Sequence, residues 1–135
     1  MTLTDAGPLV ALLDINEAKH ESCRLALPRL VKPLLTTWPC YTEAMYLLRR
    51  ELGYPGQKAL WRLCAAGQLV FHEASDAEVS RMEVLMDQYR DAPMDLADAS
   101  LVAAAETLGL QRVFTLDRHF YAYRLENGSA LEVVP

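Results

Sequence analysis

The sequence predicts an α/β domain built on a mostly parallel sheet. Short apolar runs of strand character alternate with longer segments of helical periodicity along the whole chain. Helix start residues (Ser, Asp, Pro) and stop residues (Gly) fall between them. Strands separated by helices read as crossover units, which lay the strands parallel.

Leu3-Thr4 opens a strand that ends at about Asp5, and Asp5-Ala6-Gly7-Pro8 reads as a tight turn. Leu9 to Asp14 is a short helix, and the polar stretch Asn16 to Lys19 interrupts the pattern. Glu21 to Leu30 is a second helix, with Cys23, Leu27 and Leu30 at helical spacing and Pro33 beyond it. Leu34-Leu35-Thr36-Thr37 is a short buried strand. Pro39 lies in the first turn of a helix over Trp38–Leu52, where proline is tolerated because the N–H it lacks has no helical partner. Gly53 closes that helix, and Tyr54-Pro55-Gly56 reads as a turn.

Gln57 to Ala66 is a further helix, with Leu60, Leu63 and Cys64 on its apolar side and Gly67 as its stop. Leu69-Val70-Phe71-His72 is the third strand. Ser75 or Asp76 caps the next helix, with Glu78 at capping-box distance from Ser75. Val79, Met82, Leu85, Met86 and Tyr89 form its apolar stripe. The stretch Pro93 to Glu106 predicts a helix apolar on nearly every side, stopped by Gly109, and such a helix is buried. Gln111 to Leu116 is the fourth strand, with Asp117 just past its end. His119 to Arg124 reads as a helical turn, Asn127-Gly128 as a turn, and Leu131 to Val134 as the final strand. No repeat, linker or low-complexity segment divides the chain, so residues 1–135 are read as one domain.

Composition narrows the function. A hydrophobic content of 52% excludes a disordered chain. The net charge of −5 argues against a nonspecific coat on nucleic acid, which would be basic. It does not exclude an enzyme whose acids hold metal ions, since four such carboxylates account for all but one unit of the excess. Cys23, Cys40 and Cys64 are odd in number and lack metal-ligand spacing, so they read as buried or partly buried thiols in a reducing cytoplasm. Neither a signal peptide nor an apolar run of about 18 residues is present, so no membrane association is expected.

The functional signal is where the acids fall. In an open parallel sheet, sites lie beyond the carboxyl ends of the strands. Asp5 ends the first strand and Asp117 follows the fourth. Glu43 lies in the second turn of the helix after the second strand. Asp95 and Asp98 open the helix that leads into the fourth. Asp95 and Asp98 also fit a simple cap, because negative charge suits a helix N-terminus. Four carboxylates converging at one sheet end raise one another's pKa and call for cations, and oxygen-rich sites suit Mg²⁺ or Mn²⁺. Asp14, Asp76 and Asp91 sit in polar settings and read as surface or capping residues. Thr115, Thr42 or Ser100 could orient water or a carboxylate. Arg118 or Arg124 could meet a phosphate group or form a surface ion pair.

Four segments match a known pattern in order: Thr4-Asp5-Ala6-Gly7-Pro8-Leu9-Val10-Ala11-Leu12-Leu13-Asp14, Thr42-Glu43-Ala44-Met45-Tyr46-Leu47-Leu48, Pro93-Met94-Asp95-Leu96-Ala97-Asp98-Ala99-Ser100-Leu101-Val102-Ala103 with Glu106, and Thr115-Leu116-Asp117-Arg118-His119-Phe120. With them the sequence resembles the PIN-domain family, and within it the VapC-like ribonuclease toxins. The resemblance implies a three-layer α/β/α sandwich and a Mg²⁺-dependent endoribonuclease, for which Mn²⁺ can substitute. Its catalytic and metal-holding acids are carried over as Asp5, Glu43, Asp98 and Asp117, with Asp95 and Thr115 as auxiliary residues. It implies an RNA substrate, a small antitoxin protein as partner, and a homodimer. The family often has an acid where this chain has His119, which leaves that extra ligand in doubt.

Other classes fit less well. A HAD-type phosphatase needs a second Asp two residues after the first, where Gly7 stands. A receiver domain needs adjacent acids after the first strand and a late strand-end Lys, both missing. The remaining alternatives are a PIN-like module that binds RNA or protein without cleaving, and a PIN nuclease of RNA processing that is not a toxin. Leu9, Leu12, Leu13, Leu47, Leu48, Leu60, Trp61 and Leu63 supply apolar surface that is either core or interface.

Overall fold

Strand β1 (Thr2–Thr4) runs up the middle of a five-stranded sheet and leads into α1 (Ala6–Leu13) and α2 (His20–Ala26). After a 3-10 turn at Leu27–Arg29 come β2 (Leu34–Thr37), α3 (Trp38–Leu52) and α4 (Tyr54–Ala65). Then follow β3 (Leu69–His72), α5 (Asp76–Gln88), α6 (Leu96–Leu108) and β4 (Arg112–Phe114). A 3-10 turn at Arg118–Tyr121 precedes β5 (Glu132–Val134). The structure, a computed structural model, describes residues 1–135.

Every strand pair is parallel, in the order β3-β2-β1-β4-β5. The chain steps outward from β1 to β3 and then crosses back to β4. The order therefore reverses between β1 and β4, and that crevice is where such sheets place a site. Side chains alternate across the sheet, so neighbours in sequence enter different cores. Leu34 and Phe114 join Leu9, Tyr41, Leu48 and Leu60 on the α1–α4 side. Leu3, Leu35 and Val113 join Leu85, Leu101 and Val102 on the α5–α6 side. This is the expected α/β/α sandwich.

α6 is the buried rod that its composition predicts: Ala97 through Ala105 are all buried. Small side chains let it lie between the sheet and α5, and the left-handed Gly109 (φ 66°) ends it. The cap of α5 is the predicted capping box between Ser75 and Glu78.

Several boundaries differ from the sequence reading. The segment read as a tight turn, Ala6-Gly7-Pro8, is the first turn of α1, because Asp5 caps it and Pro8 is still early enough to need no N–H partner. Tyr54-Pro55-Gly56 is likewise the first turn of α4, the position that also accommodates Pro39 in α3. Gly56 is required there: a Cβ would stand 2.9 Å from Leu52 Cβ, so α3 and α4 approach without one. Strand β4 stops at Phe114, which leaves Asp117 in the loop beyond it. The predicted turn at His119 starts at Arg118 and ends at Tyr121. Val79 is exposed, so the apolar stripe of α5 is carried by Met82 and Leu85. Asp14, read as a surface or capping residue, is the capping one: it is the C-cap of α1, buried, and its side chain accepts the Asn16 N–H.

Candidate active site

The crevice at the strand reversal collects the acids. Asp5 follows β1 directly, and its backbone N–H donates to Phe114 O of β4 at 2.9 Å, which places it over the crevice. It is 7% exposed. Oδ1 accepts the Ala6 N–H at 2.8 Å and Oδ2 accepts the Thr115 hydroxyl at 2.8 Å. Burial raises the Asp5 pKa; the Thr115 and Ala6 hydrogen bonds oppose that, and the charges of Asp117 and Asp95 add to it.

Asp95 and Asp98 take different roles. Asp95 is the exposed N-cap of α6, and its Oδ1 accepts the Asp98 N–H at 2.8 Å. Asp98 does not return the bond as a capping box would. It is 5% exposed, and its Oδ2 accepts the Tyr123 hydroxyl at 2.9 Å. Burial first, then the neighbouring charge of Asp95, pushes the Asp98 pKa up to about 7. A carboxylate buried beside other acids and held by a neutral hydroxyl carries a cost that a cap does not need.

Glu43 sits at an exposed position on α3 and Asp117 is partly exposed. Partial desolvation raises the Glu43 pKa, followed by the charges of Asp5, Asp95 and Asp117. Asp117 caps the 3-10 turn by accepting the His119 N–H at 2.9 Å, and His119 Nδ1 lies 2.8 Å from the same Oδ1. The residue standing where an extra acid was in question therefore folds back on Asp117.

The structure thus brings Asp5, Glu43, Asp95, Asp98 and Asp117 into electrostatic range at one end of the sheet. They do not form a closed cage: no three His, Cys, Asp or Glu side chains converge to metal-holding distance. Thr115, 1% exposed, links two of the acids, donating to Asp5 and accepting the Asp117 N–H at 3.0 Å. Thr42 is instead exposed and donates to Trp38 O, and Ser100 is committed to Thr37 and to Ala97 O. Neither orients a group at the site.

Two residues at the site went unnoticed in the sequence. Tyr123 holds Asp98 and is fixed by edge-on packing against Phe120 and Tyr89. The Phe120/Tyr123 spacing, one turn after Asp117, was the available signal. Cys40 lies one turn before Glu43, with Sγ 3.7 Å from both Asp5 Oδ1 and Ala97 O. Burial, then the charge of Asp5, pushes its thiol well above the usual range, so it stays protonated and donates.

The comparisons agree with this architecture. The PIN-domain family model matches residues 2–125, and the chain belongs to the PIN-domain family. Within it, the chain is similar to Ribonuclease VapC26 of Mycobacterium tuberculosis, 26% identical over 134 residues, covering 98% of this chain and 99% of that protein. Its fold is shared with the crystal structure of M. tuberculosis VapC20, a toxin that cleaves the sarcin–ricin loop (TM-score 0.84, 15% identity, all of both chains). It is shared also with a chain of a toxin–antitoxin complex from Klebsiella pneumoniae (TM-score 0.70, 18% identity, all of this chain and 97% of that one). PIN-domain ribonucleases generally use a divalent metal ion, and the chain is a nuclease of that family. No helix is long and apolar enough to cross a membrane.

Proposed function

We propose that this protein is a Mg²⁺-dependent endoribonuclease of the cytoplasm, the toxin of a toxin–antitoxin pair, hydrolysing RNA phosphodiester bonds at the Asp5–Asp98 crevice. The observation that carries the reading is the pair of buried carboxylates, Asp5 and Asp98, each steadied by a hydroxyl and each raised in pKa by burial first and by neighbouring acids in addition. A group of hard oxygen donors with excess negative charge fits Mg²⁺, and Mn²⁺ can take its place.

Asp5, Asp98 and Asp117 would hold the ion, with Glu43 as a further ligand. Glu43 is exposed on α3, within electrostatic reach of Asp5 and Asp117. The bound metal supplies a water of lowered pKa and offsets charge on the scissile phosphate. The chain's own residues supply the positioning. Thr115 fixes the Asp5 carboxylate and the start of the Asp117 turn. Asp95 holds the first turn of α6, which sets the direction of Asp98. Burial, then the charge of Asp95, raises the Asp98 pKa, so ion binding would compete with its proton.

A small antitoxin protein is proposed as partner, supported by the likeness to a chain of a toxin–antitoxin complex, and a homodimer as the assembly. Of the apolar residues left open between core and interface, Leu9, Leu48 and Leu60 are core, while Trp61 is 48% exposed on α4, packed edge-on against Tyr41. Sequencing RNA ends after a brief induction tests the reading. Discrete new ends with the wild type and none with Asp5→Asn support it; the same ends in both, or none in either, contradict it.

A further inference from the structure

Lys19, Ser22, Thr115, Asp117, Arg118 and Tyr121 line a groove of about 330 Å³ that opens from the acid cluster. Thr115 and Asp117 line it, and Thr115 is bonded to Asp5, so the groove meets the acid cluster at its Asp117 side. Of the chain's basic side chains, Arg24, Arg50, Arg81, Arg90 and Arg112 are taken up in ion pairs. Arg124 is spent on the carbonyls of Tyr121 and Tyr123 at 2.7 and 2.9 Å. Arg118 and Lys19 form no ion pair, as is true also of Arg29, Lys32, Arg49, Lys58 and Arg62 outside this groove; Arg118 and Lys19 are exposed and are the two that line it. Tyr121 is 58% exposed at its edge. Two free cations and an open aromatic ring thus share one groove with Asp117. A nucleic-acid strand needs this combination: cations for backbone phosphates and a flat ring for a base.

We propose that this groove carries the single-stranded RNA flanking the scissile phosphate, with Lys19 and Arg118 on successive phosphates and Tyr121 stacked on a base. It rests on the ribonuclease reading and adds the strand's direction away from the acids. Arg118 presents a planar guanidinium to phosphate, the sterner of the two contacts, while Lys19 acts as a point charge. The acids repel the strand; the groove cations hold it beside them.

The test is a fluorescence-anisotropy titration of a labelled mixed-sequence single-stranded RNA across a salt series, in Mg²⁺, using Asp5→Asn to block cleavage. Each phosphate contact on a single strand contributes about 0.7 to the slope of log K against log salt. Lys19→Ala with Arg118→Ala should therefore flatten the slope by about 1.4. Lys58→Ala with Arg62→Ala, on α4 and outside the groove, should leave it unchanged. Arg118→Lys should keep the slope, and Tyr121→Ala should weaken binding by about 5- to 150-fold without altering it. Equal flattening by both double variants, or no flattening by the groove pair, overturns the proposal. So does a groove pair that changes only the sedimentation of the protein, which would assign the groove to a second copy. Cleavage by the wild type is scored separately: binding through the groove without cleavage removes the enzyme reading and leaves the groove.

Discussion

The Thr115 hydroxyl donates to Oδ2 of Asp5 at 2.8 Å, joining residues 110 positions apart across the β1–β4 crevice. The Thr115 hydroxyl oxygen also accepts the Asp117 N–H. Thr115→Val keeps the shape and removes both bonds in a buried setting. It should cost about 1–3 kcal/mol in urea unfolding and lower metal affinity by about 10- to 100-fold, the usual effect of losing a partner that orients a ligand. Thr115→Ser should restore both; a Val variant with unaltered metal affinity would show the bond to be structural only.

Asp98 makes the metal-free protein sensitive to pH. Its folded pKa, about 7, lies above the ordinary 3.8, so between these values the folded state binds more protons than the unfolded. Stability then falls as pH rises from about 4 to about 7 and levels off above. Asp98→Asn should flatten this dependence and raise stability at pH 8 by about 1–2 kcal/mol, the site's open mouth screening the rest, while abolishing activity, a stability–activity trade-off. Thermal melts in chelator across pH 5–8 check it. A destabilised Asp98→Asn would return Asp98 to a capping role.

Glu106 belongs to the segment that resembles the family, yet it lies at the far end of α6, about 12 Å along the axis from Asp98. It forms a two-pronged pair with Arg81 at 2.8 and 3.0 Å and accepts the Glu126 N–H at 2.6 Å. Glu106→Ala should destabilise by about 1.5–3 kcal/mol, the range for charged hydrogen bonds, and leave metal affinity unchanged in calorimetry. A loss of metal affinity with unaltered stability would contradict the structural role.

Much of this was legible in the chain. Alternation of Leu-rich strands with helices gives the sheet, and the apolar run after Asp98 gives the buried α6. The positions of Asp5, Glu43, Asp98 and Asp117 relative to strand ends point to the carboxyl end of the sheet, where the structure sets them. Local punctuation misled where two meanings compete: Gly7-Pro8 and Pro55-Gly56 suit a turn or a helix's first turn, and only the cap at Asp5 and the close α3–α4 approach decide. The partners of the acids were hidden for a different reason. Thr115 to Asp5 and Tyr123 to Asp98 are contacts across 110 and 25 residues, set by the packing of elements and not by any local pattern.

The central claim is that these acids act together on RNA through a divalent ion. The direct measurement is cleavage of an RNA panel by wild type and Asp5→Asn, each with Mg²⁺ and with chelator. The account predicts discrete cleavage by the wild type in Mg²⁺ alone and a loss of about 100-fold or more in Asp5→Asn. Equal cleavage by the two proteins, or wild-type cleavage undiminished by chelator, would contradict it.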